Sequence, residues 1–164
     1  MTTETTVEEQ QKMVGEFLEG LAKSFGIEAT IQNVAADEDS FEVNLVGDDK
    51  ELGLLIGPKG NHLVAMHEVC KTMLQRRLAG MDMDRARIRV DVGGYRSRRR
   101  EALQAYVQEL AQNVISSGVE KGLEPMNAAD RKVVHDAVNE IDGVSTVSVG
   151  DEPRRRVVLT VASD

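Results

Sequence analysis

The stretch LLIGPKGNHL, residues 54–63, breaks an apolar helical run with a Gly-Pro-Lys-Gly tetrad. Glycine tolerates left-handed backbone, so Gly57 can end one helix and Gly60 allows the main chain to approach a neighbour closely. The next helix begins with unpaired N–H groups that favour anions, and Lys59 adds a positive charge at a tip stiffened by Pro58. The tetrad predicts either a plain connection between two helices or a loop whose backbone contacts a ligand.

Charge is distributed unevenly along the 164 residues, although the net charge is −8. Residues 1–51 carry 13 acidic and 3 basic side chains, whereas residues 52–100 carry 11 basic and 4 acidic ones. Residues 101–164 are acidic again, with 11 acidic and 6 basic side chains. A polyanion responds to the potential within a Debye length, about 8–10 Å at physiological salt. The middle third is therefore compatible with a nucleic-acid partner.

The composition is that of a soluble globular protein, with 41% hydrophobic and 29% charged residues. The apolar runs are too short to span a membrane, and the N-terminus lacks the order of a secretory signal. We therefore expect no membrane insertion and a cytoplasmic location. Cys70, the single cysteine, lies on the apolar side of a helical pattern and is predicted to be a buried, reduced thiol.

Periodicity predicts an α+β protein of two small modules after a disordered acidic tail over residues 1–9. The first module, residues 10–92, reads α-β-β-α-α-β, with the tetrad between its second and third helices. Its first helix is predicted to begin at about Glu9 and to bury a stripe at helical spacing: Met13, Phe17, Leu18, Leu21 and Phe25. Its last strand alternates, which places Ile88, Val90 and Val92 inside and Arg87, Arg89 and Asp91 on the solvent face.

The second module, residues 93–162, is predicted to contain a long helix, a capped helix and a small β-sheet. The long helix runs from about Tyr95 to Glu120. Its predicted core face consists of Leu103, Tyr106, Val107, Leu110, Val114 and Ile115. Asn127 is predicted to cap the next helix, with Asp130 at its third position, and two strands flank the turn GDEP.

A basic run, YRSRRRE, opens the long helix at residues 95–101. Cations are unfavourable at a helix N-terminus, because they face the positive end of the helix dipole. Several such unfavourable residues together often mark a functional site. We predict nucleic-acid contacts at Arg96, Arg99 and Arg100. The alternative is a solvated face whose arginines pair with Glu101 or with the acidic N-terminal segment.

Arg131 and His135 stand four residues apart, so both project from one side of the capped helix. Taken alone, the two residues favour a surface pair, or a histidine that bonds a neighbouring carboxylate, over a binding site. The run Arg154–Arg156 leads the last strand and is predicted to extend the same basic surface.

The order α-β-β-α-(GxxG)-α-β resembles a type II KH domain, whose GxxG loop clamps about four backbone nucleotides. Residues 93–162, with Arg131 and His135 and their flanking LEPMN and SVGDEPRRR segments, resemble the R-x-x-x-H domain, which associates with single-stranded nucleic acid. The two in this order are similar to the Jag family (also called KhpB, the SpoIIIJ-associated proteins) of bacterial RNA-binding proteins. Many members also carry an N-terminal Jag domain, whereas this sequence begins shortly before the first predicted helix.

The resemblance implies a protein that binds single-stranded RNA as a post-transcriptional regulator or RNA chaperone, with a separate small KH-domain protein as a candidate partner. Arg131 would offer a phosphate a bidentate fork, and His135 a hydrogen-bond donor. Bases would lie in an apolar groove for which Ile56, Leu63 and Ile88 are candidates. The predicted RNA-binding residues are Gly57, Pro58, Lys59, Gly60, Asn61, His62, Arg96, Arg99, Arg100, Arg131, His135 and Arg155.

Catalysis is not expected, nor is a metal or another cofactor. The three histidines and Cys70 lack the spacing of zinc sites, and Gly60 stands where a P-loop requires Ser or Thr after its lysine. The remaining alternative to RNA binding is a protein–protein adaptor with a KH-like fold, which would use its acidic first helix and hairpin.

Overall fold

The computed structural model describes residues 5–80 and 85–163. The chain divides into two compact units, residues 1–96 and 97–164. The elements in chain order are α1 (Val7–Ser24), β1 (Ala29–Ala36), β2 (Ser40–Gly47), α2 (Asp49–Ile56), a 3₁₀ turn (Pro58–Gly60), α3 (Asn61–Arg77), β3 (Arg87–Val92), α4 (Tyr95–Ser117), β4 (Lys121–Gly122), α5 (Ala128–Asn139), β5 (Val144–Val149) and β6 (Arg156–Val161). This is the mixed α+β architecture, in two small modules, that the sequence predicts.

The first unit has the element order expected of a type II KH domain. Its sheet has the order β1-β2-β3: β1 and β2 form an antiparallel hairpin, and β3 runs parallel to β2. Helices α1, α2 and α3 pack on the inner face, where Val43, Leu45 and Val90 are at most 1% exposed. Cys70 lies in this core, as predicted.

The first helix begins earlier than the sequence predicts. Thr6 accepts a hydrogen bond from the N–H of Glu9, and the Glu9 carboxylate accepts one from the N–H of Thr6, which is a complete capping box. The helix therefore starts at Val7, within the predicted acidic tail, of which residues 1–4 lie outside the described part. Its buried stripe is Val14, Leu18 and Ala22, whereas Phe25, predicted to be buried, is 58% exposed.

Asp91 corrects the predicted solvent face of β3, because it is only 6% exposed. Its Oδ1 accepts hydrogen bonds from the N–H groups of Val92, at 2.8 Å, and of Arg96, at 3.2 Å. The carboxylate thus caps the N-terminus of α4. Its negative charge offsets part of the unfavourable electrostatic interaction between the basic run and the helix dipole.

The second unit contains an antiparallel sheet in the order β4-β6-β5, against which α4 and α5 pack. Asn127 caps α5 by accepting a 2.9 Å hydrogen bond from the N–H of Asp130, as predicted. The buried face of α4 is Leu103, Val107, Ala111 and Val114. The two-residue strand β4 was not foreseen, since its Lys-Gly pair carries no apolar alternation.

Two predicted core residues of α4 lie at the surface instead. Tyr106 is 54% exposed and Ile115 is 38% exposed, because the narrow apolar stripe of α4 passes through Val107 and Ala111. Among the described residues, no helix is both long and apolar enough to cross a bilayer.

Candidate nucleic-acid interface

The tetrad forms a single turn of 3₁₀ helix between α2 and α3. Gly57, Lys59 and Gly60 all adopt positive φ, at 70°, 54° and 76°. Pro58 and Lys59 are exposed at the tip, whereas Gly60 is buried beneath it. Lys59 is the only non-glycine residue with positive φ in the described backbone, so the loop holds its lysine in a conformation that lysine rarely adopts.

Two rings of the chain itself explain why the tetrad needs glycines. A Cβ atom on Gly57 would clash with the imidazole of His62, and the ring of Tyr95 covers Gly60 in the same way. The close approach that the sequence predicted for Gly60 is thus made by Tyr95.

His62 is fixed in place by the last turn of α2. Its Nδ1 lies 2.7 Å from the carbonyl oxygen of Leu54. Because a carbonyl oxygen can only accept a hydrogen bond, Nδ1 carries the proton and donates it. Nε2, on the other side of the ring, takes no part in this bond. Asn61 and His62 directly follow the tip of the loop, and both side chains are exposed.

Backbone amides of the tetrad are partly used within the turn. The N–H of Gly57 donates to the carbonyl of Gly53 at 3.0 Å, and the N–H of Gly60 donates to that of Gly57 at 3.2 Å. The N–H of Asn61 donates to the carbonyl of Pro58. These bonds give the loop a defined shape, and they limit how many of its amides can reach a ligand.

The predicted apolar groove is only partly exposed. Leu63 is 1% exposed and belongs to the core, whereas Ile56 and Ile88 are half-buried at the edge of the same cluster. His67, on the next turn of α3, has a buried Nδ1 without a hydrogen-bond partner in the described structure. Burial, followed by the positive charge of Arg96, lowers the pKa of His67 below 6.5.

The arginines of the basic run are in different environments. Arg96 donates from Nε to the carbonyl of Val90 at 2.9 Å and is half-buried. In the second unit, Arg99 donates from Nε and Nη2 to Oδ2 of Asp130 at 3.2 and 3.1 Å. Arg100 is exposed and forms no ion pair within the described residues. Asp130 is therefore the carboxylate that Arg99 of the run contacts.

Arg131 is buried, at 7% exposed. Its Nη1 donates to the carbonyl of Met126 and its Nη2 to Oε1 of Glu152, both at 2.6 Å. Both Nη atoms are thus bonded within the chain. The phosphate contact that the sequence predicts for Arg131 stays a prediction, and it would require these bonds to rearrange.

His135 is half-buried against β5. Its Nδ1 lies 2.7 Å from Oγ1 of Thr146, and its Nε2 lies 2.7 Å from Oγ of Ser148. Since each hydroxyl can donate or accept, a neutral imidazole satisfies both contacts. The partners of the ring are hydroxyls, and not the carboxylate that the sequence left open.

The turn between β5 and β6 presents three adjacent arginines. Arg154, Arg155 and Arg156 are all exposed, and none forms an ion pair among the described residues. The N–H of Arg154 donates to the carbonyl of Asp151 at 2.8 Å, which closes the turn. Arg155 is therefore accessible, as a contact residue must be.

Four residues at these sites were not singled out by the sequence: Tyr95, Glu152, Thr146 and Ser148. Tyr95, Thr146 and Ser148 are recognised only through neighbours distant in the chain, so no local pattern marks them. The acidic residue in the GDEP turn next to three arginines was the one available signal, since opposite charges so close in sequence often meet.

Comparison with known proteins agrees with this organisation. Residues 101–161, which include Arg131 and His135, match the family model of the R-x-x-x-H (Arg-three-His) domain. The chain is 31% identical, over 96% of its length, to a protein of Streptococcus pneumoniae serotype 2 (strain D39 / NCTC 7466) named RNA-binding protein KhpB. Proteins of the same name from Clostridium symbiosum and Bacillus subtilis (strain 168) are 30% and 29% identical, over 89% and 68% of this chain.

The matched regions cover 46%, 64% and 52% of those three relatives, so the chain spans about half the length of the curated relatives it matches. The similarity to the pneumococcal protein runs through both units, and the R-x-x-x-H domain match lies in the second and includes Arg131 and His135. With a KH-like element order before it, the R-x-x-x-H domain makes this chain similar, through both of its units, to the proteins named RNA-binding protein KhpB.

Proposed function

We propose that the chain binds single-stranded RNA in the cytoplasm, as a post-transcriptional regulator or RNA chaperone, and does not act as an enzyme. Relatives that match most of the chain are named RNA-binding proteins, which supports this assignment. A separate small KH-domain protein is the partner that we propose with it.

The observation that carries the proposal is the exposed, internally braced tip of the tetrad. Gly57 and Gly60 pack under His62 and Tyr95, so the loop is ordered before any ligand arrives. A preorganised loop loses less conformational entropy on binding. Lys59 stands at its tip, within the most basic third of the sequence.

We place the direct phosphate contacts on the exposed residues of both units. In the first unit these are Pro58, Lys59, Asn61 and His62, which are exposed, together with the backbone of Gly57 and Gly60 in the same loop. In the second they are Arg100 and Arg155. Arg96 and Arg99 are half-buried and bonded within their own units, so we do not place direct contacts on them.

Binding of a labelled, unstructured polyuridine RNA to the full chain, followed by fluorescence anisotropy, tests the proposal. Lys59→Asp should weaken binding by about tenfold, roughly 1.4 kcal/mol. The log–log salt slope should also become shallower by about 0.7 for each single-strand phosphate that is no longer neutralised. Lys12→Asp, which reverses the charge of a lysine side chain that is 77% exposed on α1, is the matched control.

The adaptor hypothesis makes the opposite prediction, because an adaptor has no use for the charge of Lys59. If both lysine variants bind RNA as the parent chain does, the loop is not the contact. If the folded parent chain binds no unstructured RNA at low salt, the proposed function is wrong.

A further inference from the structure

The side chain of Arg131 connects two segments that flank the arginine-rich turn. From its buried position it donates to the carbonyl of Met126, before α5, and to the carboxylate of Glu152, inside the turn. The Arg131 side chain is 9% exposed and that of Glu152 is 59% exposed, so the pair reaches from the interior to the surface.

Met126 is held from both sides. Its carbonyl accepts from Arg131, and its own N–H donates to the carbonyl of Arg155 at 3.1 Å. The chain Glu152–Arg131–Met126–Arg155 therefore closes a ring of hydrogen bonds around the turn. Two corners of this ring, residues 152 and 155, bracket Arg154.

His135 anchors the same turn from the other side of α5. It contacts Thr146 and Ser148 on β5, the strand that leads into the turn. Arg131 and His135, four residues apart on α5, thus fix the strand before the turn and the residues within it.

We propose that Arg131, through Glu152 and Met126, is a positioning residue that orients Arg154, Arg155 and Arg156 toward RNA phosphates, with His135 holding the strand that precedes them. This inference rests on the proposed function and assigns Glu152 a part in RNA binding although its charge matches that of RNA. Glu152 contributes by holding the turn, not by touching the ligand.

Two roles for Arg131 predict opposite effects of removing Glu152. If Arg131 bound a phosphate directly, Glu152 would compete with RNA for the same guanidinium, and its removal would strengthen binding. If Arg131 positions the turn, removal of Glu152 breaks the ring and weakens binding, although one negative charge near the RNA has gone.

The chain offers a matched control in the neighbouring residue. Asp151 is exposed in the same turn, and its side chain makes no ion pair or hydrogen bond with the described residues. Asp151→Ala and Glu152→Ala each remove one carboxylate from the turn, but only the second removes the partner of Arg131. The ratio of their RNA affinities isolates the effect of positioning.

The experiment measures polyuridine binding to the full chain by anisotropy across a salt series. We expect Asp151→Ala to bind at least as tightly as the parent chain. We expect Glu152→Ala to bind about fivefold more weakly than Asp151→Ala, the low end of coupling between sites. Its salt slope should be shallower by about 0.7 for each phosphate that the displaced arginines no longer neutralise.

Amide hydrogen exchange supplies a readout that needs no RNA. The N–H of Met126 should exchange faster in Glu152→Ala than in Asp151→Ala, because the ring that protects it has been opened. If Glu152→Ala binds RNA as tightly as Asp151→Ala, or more tightly, the positioning role is wrong while RNA binding stands. If the parent chain binds no RNA, the proposed function fails and this inference fails with it.

Discussion

Tyr95 and Gly60 are fitted to each other: a Cβ atom on Gly60 would lie 2.6 Å from Cε1 of the Tyr95 ring. Tyr95 is the first residue of α4, and Gly60 precedes α3. The contact therefore ties the loop of the tetrad to the chain that leaves β3, and it leaves no room for a side chain at Gly60.

We expect Gly60→Ala to destabilise the first unit by about 2–4 kcal/mol. About 1–2 kcal/mol arises from alanine at positive φ, and the rest from displacement of the Tyr95 ring. Urea unfolding followed by circular dichroism measures the loss.

Gly94→Ala is the control for this prediction, because Gly94 has a similar φ of 69°. Beyond its chain neighbours, no atom of residues 5–80 or 85–163 lies within 4 Å of the place where the methyl group would stand. It should show the backbone strain alone, about 1–2 kcal/mol. Equal losses in the two variants would mean that the tyrosine ring does not restrict the loop.

His67 should make the first unit sensitive to acid. Its folded pKa lies below 6.5 because of burial first and Arg96 second; Lys71 and Arg89 lower it further and Glu68 opposes them. As the pH falls through 6.5, the unfolded chain takes up a proton before the folded chain does. The stability present above pH 6.5 is therefore lost progressively below it.

Two measurements check this behaviour. NMR titration should place the His67 pKa below 6.5 and move it upward in Arg96→Gln, although not fully, since burial remains. His67→Gln should flatten the fall in the urea midpoint between about pH 7 and pH 5. An unchanged pH dependence in His67→Gln would assign the acid sensitivity to other groups.

Cys70 should not react with thiol reagents in the folded chain. Burial raises its pKa from 9.0 to about 12, so the thiolate that attacks such reagents is scarce at about pH 8. Modification by a disulfide reagent should follow the unfolding of the first unit and accelerate with urea. Prompt reaction at that pH without denaturant would show that the thiol is accessible in the native state.

Local patterns in the sequence predicted most elements correctly. The alternation from Ile88 to Val92 identified β3, and Asn127 identified the start of α5. Thr6 and Glu9 have the capping-box spacing as well, but the acidic composition around them favoured a tail. These features were predictable because each depends on residues within one turn or strand.

Contacts between distant segments were not predictable in the same way. The alternation of β3 places Asp91 on the face predicted to be exposed. It is buried instead, and its hydrogen bonds come from backbone N–H groups at and before the N-terminus of α4. Gln10 is 1% exposed, because its Oε1 accepts from the N–H of Ala86, 76 residues away. A buried polar residue is recognised only when its partner is known.

The site illustrates the same limit. The sequence identified the basic residues, but it could not show which carboxylates they meet. Asp130 lies 31 residues from Arg99, and Glu152 lies 21 residues from Arg131. Arg99 and Arg131 are bonded within the chain through these two pairs, whereas the exposed arginines of the site face solvent.

Arg99 and Arg100, adjacent on α4, should therefore respond differently to the same substitution. Arg99→Gln removes the partner of Asp130, whose side chain is only 11% exposed, and we expect it to destabilise the second unit by about 1–3 kcal/mol. Arg100→Gln breaks no ion pair among the described residues, so its stability should remain within about 0.5 kcal/mol of the parent chain.

RNA binding should show the reverse order at temperatures where both variants are folded. Arg100→Gln should weaken polyuridine binding and make the salt slope shallower by about 0.7, because the variant lacks an exposed cation that meets a phosphate. Arg99→Gln should leave the slope unchanged, since its guanidinium is already bonded to Asp130. A shallower slope in Arg99→Gln, with Arg100→Gln binding as the parent chain does, would mean that RNA displaces Asp130 and takes the inner arginine instead.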